Sequence, residues 1–395
     1  MTAPPIAALR QVWHHRHGAP TLRGVTLDVT PTEHLTLLGE DSGVALLLLA
    51  GFVAATSGSV LLDGRDVADV PPHRRGVAVV HRGLGLFERM SVAGNVGFSG
   101  GSPRAVRAML RLAGLDACAD TLPRTLDAAA RVRLAIARVL MQRSPLLLLD
   151  DPLAGLDPVA RGSVCAFVTA ARALREFAIV HAASDADAAF SGFGVAHERL
   201  VVLAGGFVVQ DGTPRAVYDT PASATVASLT GPLNMLSGTV LEEFDGEARV
   251  TLQDGAVVSA RAEGVGVGDA CVVCVRPERM ALAAEALADI GDDAFAATVR
   301  DVAFHRDHWR VRLQLGVGQG IELVVTRPAG VPLGSVRPGV VVGVAWQPHH
   351  AAAYSYGQVS GAAVAAQVPG DYRIVTASAP VPAIDVPPPN VQDPR

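Results

Sequence analysis

The sequence predicts an α/β domain built on a buried, largely parallel sheet, followed by a small all-β barrel domain. Continuous apolar runs such as LLLL (146–149) and AIVHAA (178–183) alternate with helical patterns, which is how strands covered on both faces read. The stretch LLGEDSGVALLLLAGF (37–52) joins a strand to a helix through a glycine turn. Beyond Gly231-Pro232 only short β-runs separated by turns follow, at the spacing of a small barrel.

In order along the chain, VTLDV (25–29), HLTLL (34–38), SVLLDG (59–64) and VAVV (77–80) read as strands, with a helix after Gly43 between the second and third. From about 84 to 142 the pattern is helical. RAVRAMLRLAGL (104–115) and RVRLAIARVLM (131–141) repeat apolar residues every three or four positions. The strand 146–149 ends in Asp150-Asp151, and after a further helix come strands at 178–183, RLVVL (199–203) and FVVQDG (207–212). The second domain offers GTVLEEF (238–244), ARVTLQDG (248–255), ACVVCVRPE (270–278), ATVRDVAF (297–304), WRVRLQL (309–315), GIELVV (320–325) and GVVVGVAW (339–346). The expected organisation is therefore 1–232, 233–352 and a Pro-rich tail, 353–395, that should be disordered.

A chain of 395 residues exceeds one ordinary core, which agrees with two domains. A net charge of -5 without a basic tail argues against nucleic acid as a partner. The chain contains no lysine, so all 33 Lys+Arg residues are arginine. Cys118, Cys165, Cys271 and Cys274 are too few and scattered for a disulfide framework, which points to a reducing compartment. In a strand, the three-residue step from Cys271 to Cys274 puts the thiols on opposite faces and disfavours a shared metal. The N-terminus lacks a long apolar targeting region, and the longest apolar run, 44–55, is too short to span a bilayer. A cytoplasmic location follows as the expectation, with any membrane role exercised through partner subunits.

Five stretches, TSGSVLLDGRDV (56–67), VPPHRRGVAVV (70–80), LLLLDDPLAGLDP (146–158), GTPRAVYDTP (212–221) and VRPE (275–278), stand in an order that carries a resemblance. Over roughly residues 5–350 the chain resembles the ATP-binding-cassette (ABC) ATPase subunits of bacterial importers, in the branch that serves sugars, polyamines, ferric iron and phosphonates and carries a C-terminal TOBE-like barrel. The resemblance implies a P-loop NTPase-like ABC domain with a helical subdomain near 84–142, and ATP and Mg²⁺ as cofactors. It also implies membrane permease subunits and a second ABC subunit, in a homo- or heterodimer, as partners, and a cytoplasmic position on the inner face of the membrane. Polyamine, phosphonate, iron and sugar cargo all fit, because other chains select the cargo.

Carried over residue by residue, the resemblance implies a degenerate site. A working phosphate loop, G-x-x-x-x-G-K-[ST], points backbone N–H groups and a lysine at the phosphates and a hydroxyl at Mg²⁺. Without a gap, Gly39 is the first glycine and Val44, Ala45 and Leu46 stand at the glycine, lysine and hydroxyl positions. Alternatively the loop is about three residues shorter, with Glu40, Asp41 and Ser42 leading to Gly43 as the second glycine. Neither version supplies a lysine, and a lost charge-assisted hydrogen bond costs about 1.5–3 kcal/mol.

The signature segment that grips nucleotide from the opposite subunit falls on Leu126, Asp127, Ala128, Ala129 and Ala130. The glutamine next to Mg²⁺ falls on Arg82, the switch histidine on Ser184 with His181 nearby, and the stacking aromatic on His17 with Trp13 close. Asp150 matches the Mg²⁺-side aspartate and Asp157 the aspartate before the following helix, while Asp151 replaces the catalytic glutamate with one methylene less reach. LGLFERMSVAGNVGF (84–98) resembles the surface on which family members receive a helix from the membrane subunit. Weak or absent hydrolysis is the expectation, a still-active ATPase and a non-hydrolysing structural subunit being the alternatives. A plainer reading also stands: a core strand–turn–helix connection at 37–52 and a helix-capping acid pair at 150–151.

Overall fold

The computed structural model describes residues 4–193, 198–283, 294–315 and 321–356. Two compact units are present: the first runs through Leu233 and takes in Arg261–Val265, and the second takes in Asn234–Ala260 and Gly266–Ala351.

In chain order the first unit carries β1 (Ala7–Arg16), β2 (Ala19–Val29), β3 (His34–Leu38), α1 (Ser42–Ala50), β4 (Ser57–Leu62), β5 (Arg65–Asp66) and β6 (Ala78–Val80). Helices α2 (Val92–Gly97), α3 (Pro103–Leu112) and α4 (Ala128–Leu140) come next, then β7 (Leu146–Asp150), α5 (Pro158–Leu174), β8 (Ala178–Ala183) and α6 (Ala186–Ala189). Strands β9 (Glu198–Ala204) and β10 (Phe207–Gly212) and helices α7 (Pro214–Asp219) and α8 (Ala224–Leu229) close it.

One antiparallel sheet has the order β2-β1-β4-β5, and a second, six-stranded sheet has the order β10-β9-β3-β8-β7-β6. In the second sheet every neighbouring pair from β9 to β6 is parallel, and β10 returns antiparallel on β9. The apolar runs explain why it is buried on both faces. Along β7, Leu147 and Leu149 enter one core cluster while Leu146 and Leu148 enter the other, the two-residue alternation of a strand.

Helix α1 lies within the second of these clusters. Ala45, Leu46, Leu48 and Leu49 pack there with Leu9, Leu27 and Val60 of the antiparallel sheet and with Leu35, Leu37 and Val180 of the parallel one. Each leucine so buried contributes about 1.5–3 kcal/mol. The helix is closed at its C-terminal end by Gly51, whose φ of 83° lets its N–H reach Leu47 O and Leu48 O. Arg75 finishes that end, donating to Leu48 O at 2.7 Å, Leu49 O at 3.2 Å, Val67 O at 2.7 Å and Val70 O at 2.8 Å. The other seven described α-helices start on a side-chain cap, from Ser91, Ser102, Asp127, Asp157, Asp185, Thr213 and Ser223; α1 starts at Asp41 without one.

From Asn234 on, the described strands are β11 (Asn234–Phe244), β12 (Glu247–Leu252), β13 (Val257–Glu263), β14 (Ala270–Val275), β15 (Ala281–Ala283), β16 (Phe295–His305), β17 (His308–Leu315), β18 (Glu322–Pro328), β19 (Val341–Ala345) and β20 (Ala351–Ser355). A closed barrel has the order β11-β12-β13-β20-β14, and a five-stranded sheet, β15-β19-β16-β17-β18, accompanies it. Alternation alone does not say which strands close on one another, so sequence reading saw a single barrel. Cys271 and Cys274 are both free and both buried in β14. The expected disorder from 353 meets β20 instead, because Ala352 and Ala353 pair with Arg261 and Ala262, and the buried Tyr354 hydroxyl donates to Pro221 O at 2.6 Å. The rest of that tail lies outside the described residues. Among the described residues no helix is long and apolar enough to cross a membrane.

Candidate functional site

Parallel strands gather their C-terminal ends on one edge of the sheet, and the loops leaving β3, β6, β7 and β8 meet there. After β3, Gly39 takes φ 125°, and a Cβ at that point would collide with Leu203 O of β9, so only glycine fits. Glu40 and Asp41 follow, and α1 has already begun at Ser42, leaving three residues between strand and helix. Part of the turn's N–H supply is spent within it, Ser42 N–H on Gly39 O at 3.1 Å and Val44 N–H on Asp41 O at 3.1 Å. Ser42 is buried and its hydroxyl points at Ala183 O, 3.5 Å away.

Gly43 lies in the first turn of α1, with Asp150 Oδ1 3.5 Å from where its Cβ would be, whereas Ala45 and Leu46 are fully buried in the core and Val44 is half-buried. Burial raises the Asp41 carboxyl above its ordinary range, Glu40 raises it further, and His14 partly offsets both.

His14, which the sequence offers with His15 and His17 only as a histidine cluster without a completing ligand spacing, is a neighbour of this turn. It sits on β1 with Nδ1 2.7 Å from Thr21 Oγ1, and burial, then His15 and Arg16, hold its pKa down. His17 instead occupies the exposed turn after β1, at φ 50°. The alternation of buried and exposed residues along β1 was the available signal.

Asp150 ends β7 and Asp151 follows at φ 50°, 3% exposed, its N–H bonded to Ala182 O at 2.9 Å. The Arg82 guanidinium, on the loop after β6, pairs with Asp151 Oδ2, while Ser184 N–H lies 3.4 Å from Asp151 Oδ1. Asp150 Oδ2 is 3.5 Å from both His81 Nδ1 and the Arg82 N–H. Gly43, Arg82, Asp150, Asp151 and Ser184 are therefore brought together.

Other sequence-derived candidates have local roles. Asp127 caps α4 by accepting the Ala130 N–H at 2.7 Å, with Leu126 half-buried beside it, Ala128 exposed, and Ala129 and Ala130 packed inward. Asp157 caps α5, accepting from Val159 and Ala160 at 2.9 Å each. His181, considered as a substitute at the Ser184 position, is fully buried within β8 against His34 and Phe193, and burial lowers it to about 3. Among the described residues no group of three or more His, Cys, Asp or Glu side chains could hold a metal ion.

The segment after Arg82 has an ordered frame. Buried Asn95 donates to Phe87 O, Met90 O and Ser91 O and accepts the Phe87 N–H. Arg138 donates to Gly85 O at 2.5 Å and Leu84 O at 3.1 Å and lies 5.0 Å from the Phe87 ring centre. The rings of Phe87 and Phe98, 4.3 Å apart, remain exposed, Phe98 by 60%.

Against known proteins, a family described as ABC transporter matches residues 22–154 and one described as TOBE domain matches 273–353. A spermidine/putrescine import ATP-binding protein, PotA, of Mesorhizobium japonicum is 31% identical over 320 residues, 78% of this chain and 85% of that protein. Its namesake in Pseudomonas aeruginosa is 31% identical over 357 residues, 87% of this chain and 97% of that protein. Among solved structures, cbiO1 of Clostridium perfringens, described as part of the ABC transporter complex cbiONQ, matches with TM-score 0.48 and 21% identity, covering 55% of this chain and 92% of its own.

Proposed function

Because this chain belongs to the ABC importer ATPase family with a C-terminal TOBE domain, we propose that it is the ATP-binding-type subunit of a polyamine importer whose own site binds MgATP weakly and does not turn it over. The polyamine assignment rests on relatives named for spermidine and putrescine import. As such a subunit it works on the inner face of the membrane with permease subunits and a second ABC subunit, and the exposed Phe87–Phe98 patch is the docking surface.

The family's cofactors are ATP and Mg²⁺, and the residues present do not fit them. The observation that carries this reading is the three-residue turn of Gly39, Glu40 and Asp41, which has two acids and no lysine where phosphate charge would rest. The start of α1 offers a dipole of about half a charge, which two neighbouring carboxylates oppose. Across the edge, the carboxylate of Asp151 is already paired with Arg82.

Isothermal titration with MgATP at physiological salt tests the reading. The expected result is no dissociation constant below about millimolar, near -4 kcal/mol, with phosphate release far below about 1 per second. A micromolar constant with steady turnover overturns it. Co-purification with a membrane subunit separates a working passive subunit from a chain that merely folds.

A further inference from the structure

A carboxylate as buried as that of Asp151 needs a cation or several N–H donors. Its Oδ1 has the Ser184 N–H at a long 3.4 Å, so the Arg82 guanidinium on Oδ2 is its one close cationic partner among the described residues. The Arg82 side chain is 65% exposed and covers Asp151 from outside, while its own backbone N–H faces Asp150 Oδ2.

We propose that Arg82 is the resident cation of Asp151, its guanidinium holding the buried carboxylate that a divalent ion would otherwise have to share with Asp150, and fixing the loop after β6 to the segment that follows β7. The inference rests on the non-hydrolysing reading and deepens it by naming what keeps the site closed. One end of the loop is tied to the segment after β7 by Arg82, and the other is held by Arg138 at Leu84 and Gly85 and by Asn95 at Phe87 and Met90. The Phe87–Phe98 patch is then presented in one position whether or not nucleotide or metal is present.

The test is Mn²⁺ titration of the full chain followed by electron paramagnetic resonance, for the wild type, Arg82→Lys, Arg82→Gln and Arg82→Gln/Asp151→Asn. Wild type and Arg82→Lys are expected to bind no Mn²⁺ below millimolar, Arg82→Gln to gain a site at least roughly tenfold tighter, and the double variant to lose it. Wild type that binds Mn²⁺ as tightly as Arg82→Gln, or folded Arg82→Gln that gains nothing, overturns the proposal. If Arg82→Gln does not fold, hydrogen exchange over residues 82–91 of the wild type decides: unchanged protection on adding millimolar Mg²⁺ supports the resident cation, and altered protection overturns it. Wild type that admits Mn²⁺ but not MgATP sinks this inference alone, whereas micromolar MgATP binding sinks the functional reading with it.

Discussion

Helix α1 ends in two different ways. At its C-terminal end a glycine in left-handed conformation and an arginine bonded to the Leu48 and Leu49 carbonyls settle the last turn. At its N-terminal end two acids crowd each other and Asp41 provides no side-chain cap. Both ends belong to nine residues of nearly unbroken apolar sequence. The difference teaches that burial enforces the C-terminal arrangement, because losing a buried carbonyl's partner costs about 1–3 kcal/mol. At the N-terminal end less is at stake for the fold, because exposed changes away from such features stay within about 0.5 kcal/mol.

The comparison is broken most directly by Ala45→Lys. Placed in a fully buried position without a counter-charge, the ammonium is expected to cost about 4 kcal/mol or more, the equivalent of a three-unit shift in its pKa. Thermal unfolding should show a collapse of stability with no gain in nucleotide affinity. A variant as stable as wild type that binds MgATP would favour the longer loop reading. Next in size is Arg75→Ala, which strips the buried C-terminal end of two hydrogen bonds and the chain after β5 of two more and is expected to cost about 3 kcal/mol in urea denaturation. A loss below about 0.5 kcal/mol would show that the two ends are not so different.

Acid extends the test to the sheet against which α1 packs. Burial holds His181 at about 3 and His34 below its ordinary 6.5, so in the folded state both resist protonation. The unfolded chain binds those protons first, so the contribution is fully present above pH 6.5 and is lost as pH falls toward 3. The expected slope is at most about 1.4 kcal/mol per pH unit for each histidine. His181→Leu should flatten the profile, and an unchanged profile would refute the assignment. The smallest effect belongs to the N-terminal end: Asp41→Asn removes one of two crowded acids and should move stability by no more than about 0.5 kcal/mol in either direction.

Much of the frame was legible. HLTLL and AIVHAA form strands β3 and β8 with the bounds read from the sequence, because two-sided burial writes a continuous apolar run, and FVVQDG forms the edge strand β10 with the bounds read, its end marked by Asp211-Gly212. The candidate residues Arg82, Asp150, Asp151 and Ser184 were also named, but not the pairing of Arg82 with Asp151, since proximity across two loops leaves no spacing in one chain. Arg75 was invisible as a cap for the same reason: its carbonyl partners lie up to 27 residues away. The full burial of Ala45 and Leu46 is likewise something an apolar run cannot show by itself. The five-stranded sheet beyond the barrel escaped because alternation sets faces and not partners.

The two thiols of β14 give the molecule a built-in clock. Burial pushes Cys271 up to about 11 and Cys274 to about 12, so at neutral pH almost no thiolate exists to react while the barrel is closed. An alkylating reagent added to the native protein therefore modifies these positions only as fast as the strand opens. The rate at which label accumulates on the peptide 270–275, followed by mass spectrometry, reports how often the barrel opens across the population and needs no denaturant.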